Sequence, residues 1–249
     1  MTDFLIIVLA GFLAGALNAV AGGGTFITFP ALVFLGVPTI AANASATLAA
    51  LPGYIGSAWA FRHDMRREGS LSFAAILGVS VLGGLIGAAM LIFTSDRAFT
   101  GIVPWLLLVS TLLFAVGPAL TRRLKAMGIP AAGAGVSALV LGAVSIYGGY
   151  FNGGLGIMLL ATFGLLGHSD LHGMNGLKNV LSAVLSLTSA VAFMAAGLIA
   201  WQAAAPMAIA ATLGGYAGAR LSRRISNLVY LRVFVVLVGL AMTVLFFLR

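Results

Sequence analysis

The chain has 249 residues, of which 61% are apolar and only 7% are charged, and its net charge is +8. About a quarter of the residues in a soluble domain are charged, so this composition excludes a soluble domain and indicates an integral membrane protein. The basic residues lie in short connectors, which excludes a nucleic-acid-binding face, and the lack of cysteine excludes disulfides, iron–sulfur clusters and a thiol nucleophile.

Five helical segments are predicted in the first half of the chain. They are 4–21, then, after a glycine-rich break at 22–24, the short segment 25–36, followed by 40–61, 70–93 and 99–119. A helix needs about 20 apolar residues to cross about 30 Å of hydrocarbon, so the segment after the break is too short to cross by itself.

The second half repeats this series. Its segments are predicted at 133–151, 155–166, 173–197, 202–221 and 228–248, with a break at 152–154. We divide the chain into a first membrane repeat at 1–120, a basic connector at 121–132 and a second membrane repeat at 133–249. No segment alternates with period two, so the fold class is an all-α polytopic membrane protein rather than a barrel.

The two halves share a glycine pattern that recurs 131 positions later in the chain. Chance would align roughly two glycine pairs at this composition, so the larger number observed indicates an internal duplication. The pairs are Gly11 with Gly142, Gly22 with Gly153, Gly23 with Gly154, Gly36 with Gly167, Gly83 with Gly214, Gly84 with Gly215 and Gly87 with Gly218.

Two membrane topologies are open. If each broken stretch crosses once, the chain has eight spans, its halves run parallel, and the basic side chains divide almost evenly between the two sides. If each broken stretch turns back as a hairpin, the chain has ten segments in inverted halves. Nearly all basic residues then lie on one side of the membrane, with only Arg97 and Arg249 on the other. Basic loops face the cytoplasm, so we prefer the second arrangement, with both termini outside.

The glycine-rich breaks are the first candidate site for a solute. A helix that stops inside the membrane frees backbone N–H and C=O groups, which are tolerated beside a polar cavity. A helix that starts there points N–H groups and its positive dipole end into the cavity, which suits an anion. The alternative is that these glycines only permit close helix packing. The candidate substrate-binding residues at the breaks are Asn18, Gly22, Gly23, Gly24 and Thr25, and Asn152, Gly153 and Gly154, with helix capping as the favoured role of Asn152.

Lys178 lies inside a predicted span, where a charge is costly and indicates function by default. The alternative is snorkelling towards the loop at 168–172, only a few residues away. The first half has uncharged polar residues at the equivalent place. One cation with several hydroxyl and amide donors suits an oxyanion rather than a metal cation. The candidate substrate ligands here are Asn175, Lys178 and Asn179, together with Asn43, Ser45 and Thr47.

Motifs for enzymatic chemistry are missing from the sequence. There is no HExxH, P-loop or GxSxG motif, and no pair of intramembrane carboxylates. Lys178 and Ser182 share a helix face as a conceivable nucleophilic dyad, but no third group orients them. We interpret His168, Asp170 and His172 as ordinary loop polarity. We therefore expect no enzyme, no catalytic residue, no cofactor and no metal site.

These residues carry a resemblance to a known family. The stretch from Asn18 to Leu32, NAVAGGGTFITFPAL, followed by 36–38 and 41–47, resembles the first-half signature of the TauE/SafE sulfite exporter family. Gly153-Gly154-Leu155-Gly156 and the stretch 175–179 resemble its companion in the second half. The resemblance covers nearly the whole chain, and it implies a permease of the bacterial inner membrane that moves sulfite, sulfonates or related organic anions.

The sequence thus predicts a secondary transporter of small anions that works by alternating access between two repeats. Its expected partners are the anionic substrate, the lipid bilayer and a coupling ion, either a proton or sodium, with no nucleic acid. Its Arg-rich loops are expected in the cytoplasm. The alternatives are an anion channel built from the same residues, a membrane-embedded enzyme and an assembly subunit without substrate.

Overall fold

The structure is a computed structural model that describes residues 1–20, 23–63, 65, 69–126, 132–168, 170–222 and 229–248. These ranges contain ten α-helices and no β-strand, so the all-α prediction is confirmed. Four of the helices are long and apolar enough to cross a membrane, namely those around Thr2–Ala19, Phe73–Ile92, Asp96–Gly117 and Gly173–Ala195. The helices are α1 (Thr2–Val20), α2 (Thr25–Phe34), α3 (Thr39–Ala60), α4 (Phe73–Ile92), α5 (Asp96–Ala126), α6 (Ala134–Tyr150), α7 (Leu155–Leu165), α8 (Leu171–Ala195), α9 (Trp201–Ser222) and α10 (Val229–Phe247).

Several helix boundaries differ from the sequence prediction, and two of the differences have identifiable reasons. Helix α5 continues to Ala126, into the connector predicted at 121–132, because Leu, Arg, Lys and Ala are good helix formers and cations suit a helix C-terminus. Helix α8 begins at Leu171, earlier than predicted, because Asp170 caps it. The carboxylate Oδ2 of Asp170 accepts from Gly173 N–H at 2.9 Å, and its carbonyl accepts from Met174 N–H at 2.9 Å.

Glycines allow two helix pairs to pack backbone against backbone. In the α1–α9 pair, a Cβ on Gly15 would overlap the backbone of Ala211. In the α4–α6 pair, a Cβ on Gly87 would overlap Ile146 O in the same way. Small residues at such contacts let helices approach closely where lipid provides no hydrophobic drive between them. These glycines therefore have a packing role.

The relative directions of the helices follow from residue contacts. Gly11 lies beside Met207 as Gly15 lies beside Ala211, so α1 and α9 run parallel. Helices α4 and α6 also run parallel, because Gly83 contacts residue 142 and Gly87 contacts residue 146. Helix α3 runs antiparallel to α8, since the end of α3, at residue 61, contacts Gly176 near the start of α8.

Helix α6 begins, and helix α7 ends, at the same end of the bundle. Ala132, just before α6, donates its N–H to Leu165 O at the end of α7, at 3.2 Å. The residues between the two helices, 151–154, are buried. Phe151 in this segment packs edge-on against Phe29 of α2, with ring centroids 5.8 Å apart. The α6–α7 stretch is thus a hairpin whose tip lies against the opposite half of the chain.

Candidate functional site

The first break lies between α1 and α2, and Asn18 satisfies part of its backbone. Gly24 N–H donates to Asn18 Oδ1 at 2.7 Å, and both residues are buried. Gly23 has φ of 89°, in the left-handed region that favours glycine. A Cβ on Gly24 would stand only 2.7 Å from Asn18 Nδ2. Gly22, one of the predicted ligands, lies outside the described residues.

The second break lies at the tip of the α6–α7 hairpin. Gly154 has φ of 72° and is the N-cap of α7, and a Cβ there would stand 2.6 Å from Ser110 Cβ. Gly153 O accepts from Tyr147 Oη at 2.7 Å. Asn152 does not cap α7 as expected. Its Nδ2 instead donates to Ser186 Oγ of α8 at 3.0 Å, so the capping role predicted for Asn152 is wrong.

Lys178 lies on α8 and is only 4% exposed. Its Nζ donates to Asn175 Oδ1, one turn earlier, at 3.1 Å, and it forms no salt bridge with any described carboxylate. The side chain runs along the first turn of α7, where a Cβ on Gly156 would stand 3.3 Å from Lys178 Cδ. A snorkelling lysine would keep its ammonium group in water, so this burial argues against that alternative.

The α8 face that carries Lys178 is polar over much of its length. The residues recur at spacings of three or four, which places them on one side of the helix. Ser186 and Ser189 were not among the predicted site residues, although this spacing is visible in the sequence. The polar face of α8 consists of Asn175, which is half-buried, and the buried residues Lys178, Ser182, Ser186 and Ser189, with buried Asn179 beside it.

The predicted polar residues of α3 lie at a different depth from Lys178. Asn43 Nδ2 donates to Tyr150 O at 3.0 Å, and Ser45 Oγ accepts from Ala200 N–H at 2.9 Å. The end of α3, at residue 61, lies beside α8 near Lys178. At 1.5 Å of rise per residue, Ser45 is roughly 20 Å from that level. The α3 residues thus contact the hairpin tip and the start of α9 rather than Lys178.

The hydroxyl group of Thr47 has a hydrogen-bond partner in the backbone, whereas several other buried polar atoms have no hydrogen-bond partner. Thr47 Oγ1 donates to Asn43 O at 2.9 Å. In the described part of the chain, some buried side-chain oxygens have no hydrogen-bond partner, and leaving such an atom unpaired costs about 1–3 kcal/mol. Those belonging to the predicted site or to the polar face of α8 are Thr25 Oγ1, Asn43 Oδ1, Asn152 Oδ1, Asn179 Oδ1, Ser182 Oγ and Ser189 Oγ.

Two cavities open at opposite ends of the bundle. One, of about 820 Å³, is lined by the loop before α4 and by the start of α8 as far as Leu177. The other, of about 450 Å³, is lined by Ile40 and Asp96 and by the segment between α8 and α9. Neither is lined by Lys178, Asn152 or Asn43. The larger cavity is therefore lined by Leu177 but not by the adjacent Lys178.

His168 and Asp170 line the larger cavity at its rim. Asp170 caps α8, and the His168 ring packs against Phe163 with centroids 5.4 Å apart. The structure describes no side-chain position for His172. Among the described residues, no group of three or more potential metal ligands comes together.

Comparison with known proteins shows which protein family this chain resembles. The profile of the family described as "Sulfite exporter TauE/SafE" matches residues 7–246. A protein of Haemophilus influenzae named "Probable membrane transporter protein" is 29% identical over 217 residues, which cover 87% of this chain and 84% of that protein. The "Probable membrane transporter protein YfcA" of Escherichia coli is 26% identical over 220 residues, covering 87% and 79%. A protein of Sinorhizobium, "Probable membrane transporter protein ORF9", is 27% identical over 220 residues, covering 85% and 80%.

Proposed function

Since this chain belongs to the sulfite exporter TauE/SafE family of membrane transporters, we propose that it is a secondary transporter of small anions, with sulfite, sulfonates or related organic anions as substrates. The observation that carries this proposal is the position of Lys178 against the first turn of α7. The buried ammonium has one hydrogen-bond partner, Asn175 Oδ1, and forms no salt bridge with the described carboxylates.

The start of α7 is itself electropositive. N–H groups in the first turn of a helix lack partners within the helix, and the helix dipole adds a partial positive charge at that end. Gly156 lies in this turn, and its missing side chain lets Lys178 approach the backbone. The stem of Lys178 thus packs on this turn, and two positive groups so close together are costly unless an anion lies beside them. An oxyanion would accept hydrogen bonds from both.

The helix pairing supports two inverted halves. If α1–α5 is exchanged with α6–α10, the α1–α9 pair becomes α6–α4, the α3–α9 pair becomes α8–α4, and α3–α8 and α5–α10 map onto themselves. The α6–α7 hairpin enters from the end that holds the larger cavity, and α1 starts from the other end, parallel to α9. This is the ten-segment arrangement, and by the positive-inside rule the end that carries Arg62 faces the cytoplasm of a bacterial inner membrane.

Alternating access then moves two groups of helices rather than two sequence halves. One group consists of α1, α2, α3 and α9, and the other consists of α4, α6, α7 and α8, because the two most extensive helix contacts, α1 with α9 and α4 with α6, form their centres. The groups meet where α3 packs on α8. With Lys178 on α8 at this boundary and a cavity at each end, rocking about the α3–α8 contact would expose the site to one side and then the other.

Counterflow in proteoliposomes tests the proposal. Purified protein is loaded with unlabelled sulfite or a short sulfonate, and uptake of the labelled anion is followed with imposed proton or sodium gradients. A transporter gives saturable uptake that trans substrate accelerates and that an ion gradient drives uphill. Uptake that is linear in concentration and lacks counterflow would indicate a channel. No protein-dependent flux of any tested anion would contradict anion transport.

A further inference from the structure

The side chains next to Lys178 offer acceptors as well as donors. Asn179 Oδ1 has no partner, and the residue is 1% exposed. Ser182 Oγ also has no partner, and that residue is 0% exposed. Ser182 lies one helical turn beyond Lys178, about 5.4 Å along the axis. A cation and two unsatisfied oxygens thus lie within one turn of α8.

Ser182 is one of a few helical hydroxyl groups in the described residues that are buried without a hydrogen-bond partner, as are Ser189 and Thr111. Serine and threonine inside helices usually satisfy themselves by donating to the carbonyl group four residues earlier. Thr162, Thr188 and Thr212 do so here, at 2.8–3.0 Å. Ser182 makes no such bond, although it is fully buried. Its hydroxyl group therefore has both its donor and its acceptor capacity left for a solute.

A bare oxyanion could accept from the Ser182 hydroxyl group but would leave the acceptor Asn179 Oδ1 unpaired. Sulfite as the dianion carries only acceptor oxygens, so it can pair with Lys178 but not with Asn179 Oδ1. Two facing acceptors repel each other, and each buried acceptor without a donor reduces the binding free energy. A solute with a hydroxyl group one turn from its charged head removes this penalty, because a hydroxyl group both donates and accepts.

We infer that the substrate is a hydroxy-substituted small anion, whose charged head binds Lys178 and whose hydroxyl group binds Asn179 Oδ1 and Ser182 Oγ. This inference depends on the anion transport proposed above. A separation of about one helical turn between the two contacts fits a head group and a hydroxyl group joined by two carbons. An ammonium group in place of the hydroxyl group is disfavoured, because it would be close to Lys178 and both are positively charged.

Matched pairs of anions test the inference on the full-length protein in detergent by calorimetric titration. Isethionate is compared with ethanesulfonate, and 3-hydroxypropionate with propionate, since each pair differs by one hydroxyl group on the second carbon from the head group. We expect the hydroxylated member of a pair to bind about tenfold more tightly, the effect of one buried hydrogen bond. Equal affinities within both pairs would overturn the inference and leave anion transport intact. If sulfite binds but no member of either pair does, the inference fails and anion transport stands. If sulfite does not bind either, both proposals fail.

Variants locate the effect. Asn179→Leu and Ser182→Ala should each reduce the preference for the hydroxylated anion towards one and leave the affinity for ethanesulfonate unchanged. Ser189→Ala is the matched control, because Ser189 is equally buried, also has no partner and lies on the same face of α8, about 10 Å further along. A full preference in both test variants, or a loss in the control, would contradict the assignment. The paired comparison in the wild-type protein stands even if a variant fails to fold.

Discussion

The side chain of Lys178 runs so close to Gly156 that a Cβ on the glycine would stand 3.3 Å from Lys178 Cδ. The contact joins the buried cation of α8 to the first turn of α7. An alanine at this position would require the lysine stem to shift by a few tenths of an ångström, and a larger residue would displace it further from the α7 backbone.

Replacing Gly156 with valine should therefore weaken anion binding. A branched side chain at this position displaces Lys178 from the α7 backbone, and we expect at least a tenfold loss of affinity by calorimetry. Gly101→Val is the control, because Gly101 also lies in a helix but has no atom within 4 Å of its added Cβ. Similar affinities in the two variants would show that the contact has no role in binding.

The hairpin tip should be more sensitive to substitution than an unpacked turn with the same backbone. Gly154 and Gly197 both have positive φ, at 72° and 70°, so alanine costs about 1–2 kcal/mol at either position. Only at Gly154 does the added Cβ also overlap Ser110, at 2.6 Å, whereas nothing lies within 4 Å at Gly197. Gly154→Ala should thus lower the Tm in detergent clearly more than Gly197→Ala. An equal decrease would mean that the tip is loosely packed.

Movement between α3 and α8 can be tested with disulfides, because the natural chain contains no cysteine. A Cβ on Gly176 would stand 3.2 Å from Phe61 Cβ, close to the separation that a disulfide requires. We expect oxidation of the Phe61→Cys, Gly176→Cys double variant to stop counterflow and a reductant to restore it.

The control for this experiment is a pair within one group of helices. Ser80 Oγ and Ser145 Oγ lie 3.4 Å apart between α4 and α6. Oxidation of the Ser80→Cys, Ser145→Cys double variant should leave counterflow intact. Full counterflow in the first cross-linked protein, or its loss in both, would contradict movement at the α3–α8 boundary.

Local signals in the sequence predicted the helices well but not their registration. Apolar length together with Gly and charged residues set the segment ends, and most helix ends agree within about three residues, within the usual uncertainty of helix boundaries. The end of α5 is an exception. Residues 121–126 were assigned to the connector because they are rich in charge, but most of them are also good helix formers. The capping role predicted for Asn152 failed because its amide reaches Ser186 on a distant helix.

The site was harder to predict, because its geometry is tertiary. The sequence indicated that Lys178 is buried and chemically important, and the partner Asn175 lies within one turn of it. The pairing of Lys178 with Asn43, Ser45 and Thr47 assumed that equivalent positions of two repeats lie at one level. Because α3 and α8 are antiparallel, the equivalent residues of the two repeats instead lie at different depths along the bundle. The hairpin between α6 and α7 contacts both, at Tyr150 O for Asn43 and at Gly156 for Lys178.

Substitution of Lys178 by glutamine, followed by titration of anion binding and counterflow, tests the central claim most directly. Removing the buried cation should reduce affinity for sulfite or isethionate about a hundredfold, the effect expected for a desolvated charge contact. Arg97→Gln, which removes an exposed cation at the start of α5, should bind and transport like the natural protein. Unchanged affinity and unchanged counterflow in a folded Lys178→Gln protein would contradict an anion site at Lys178.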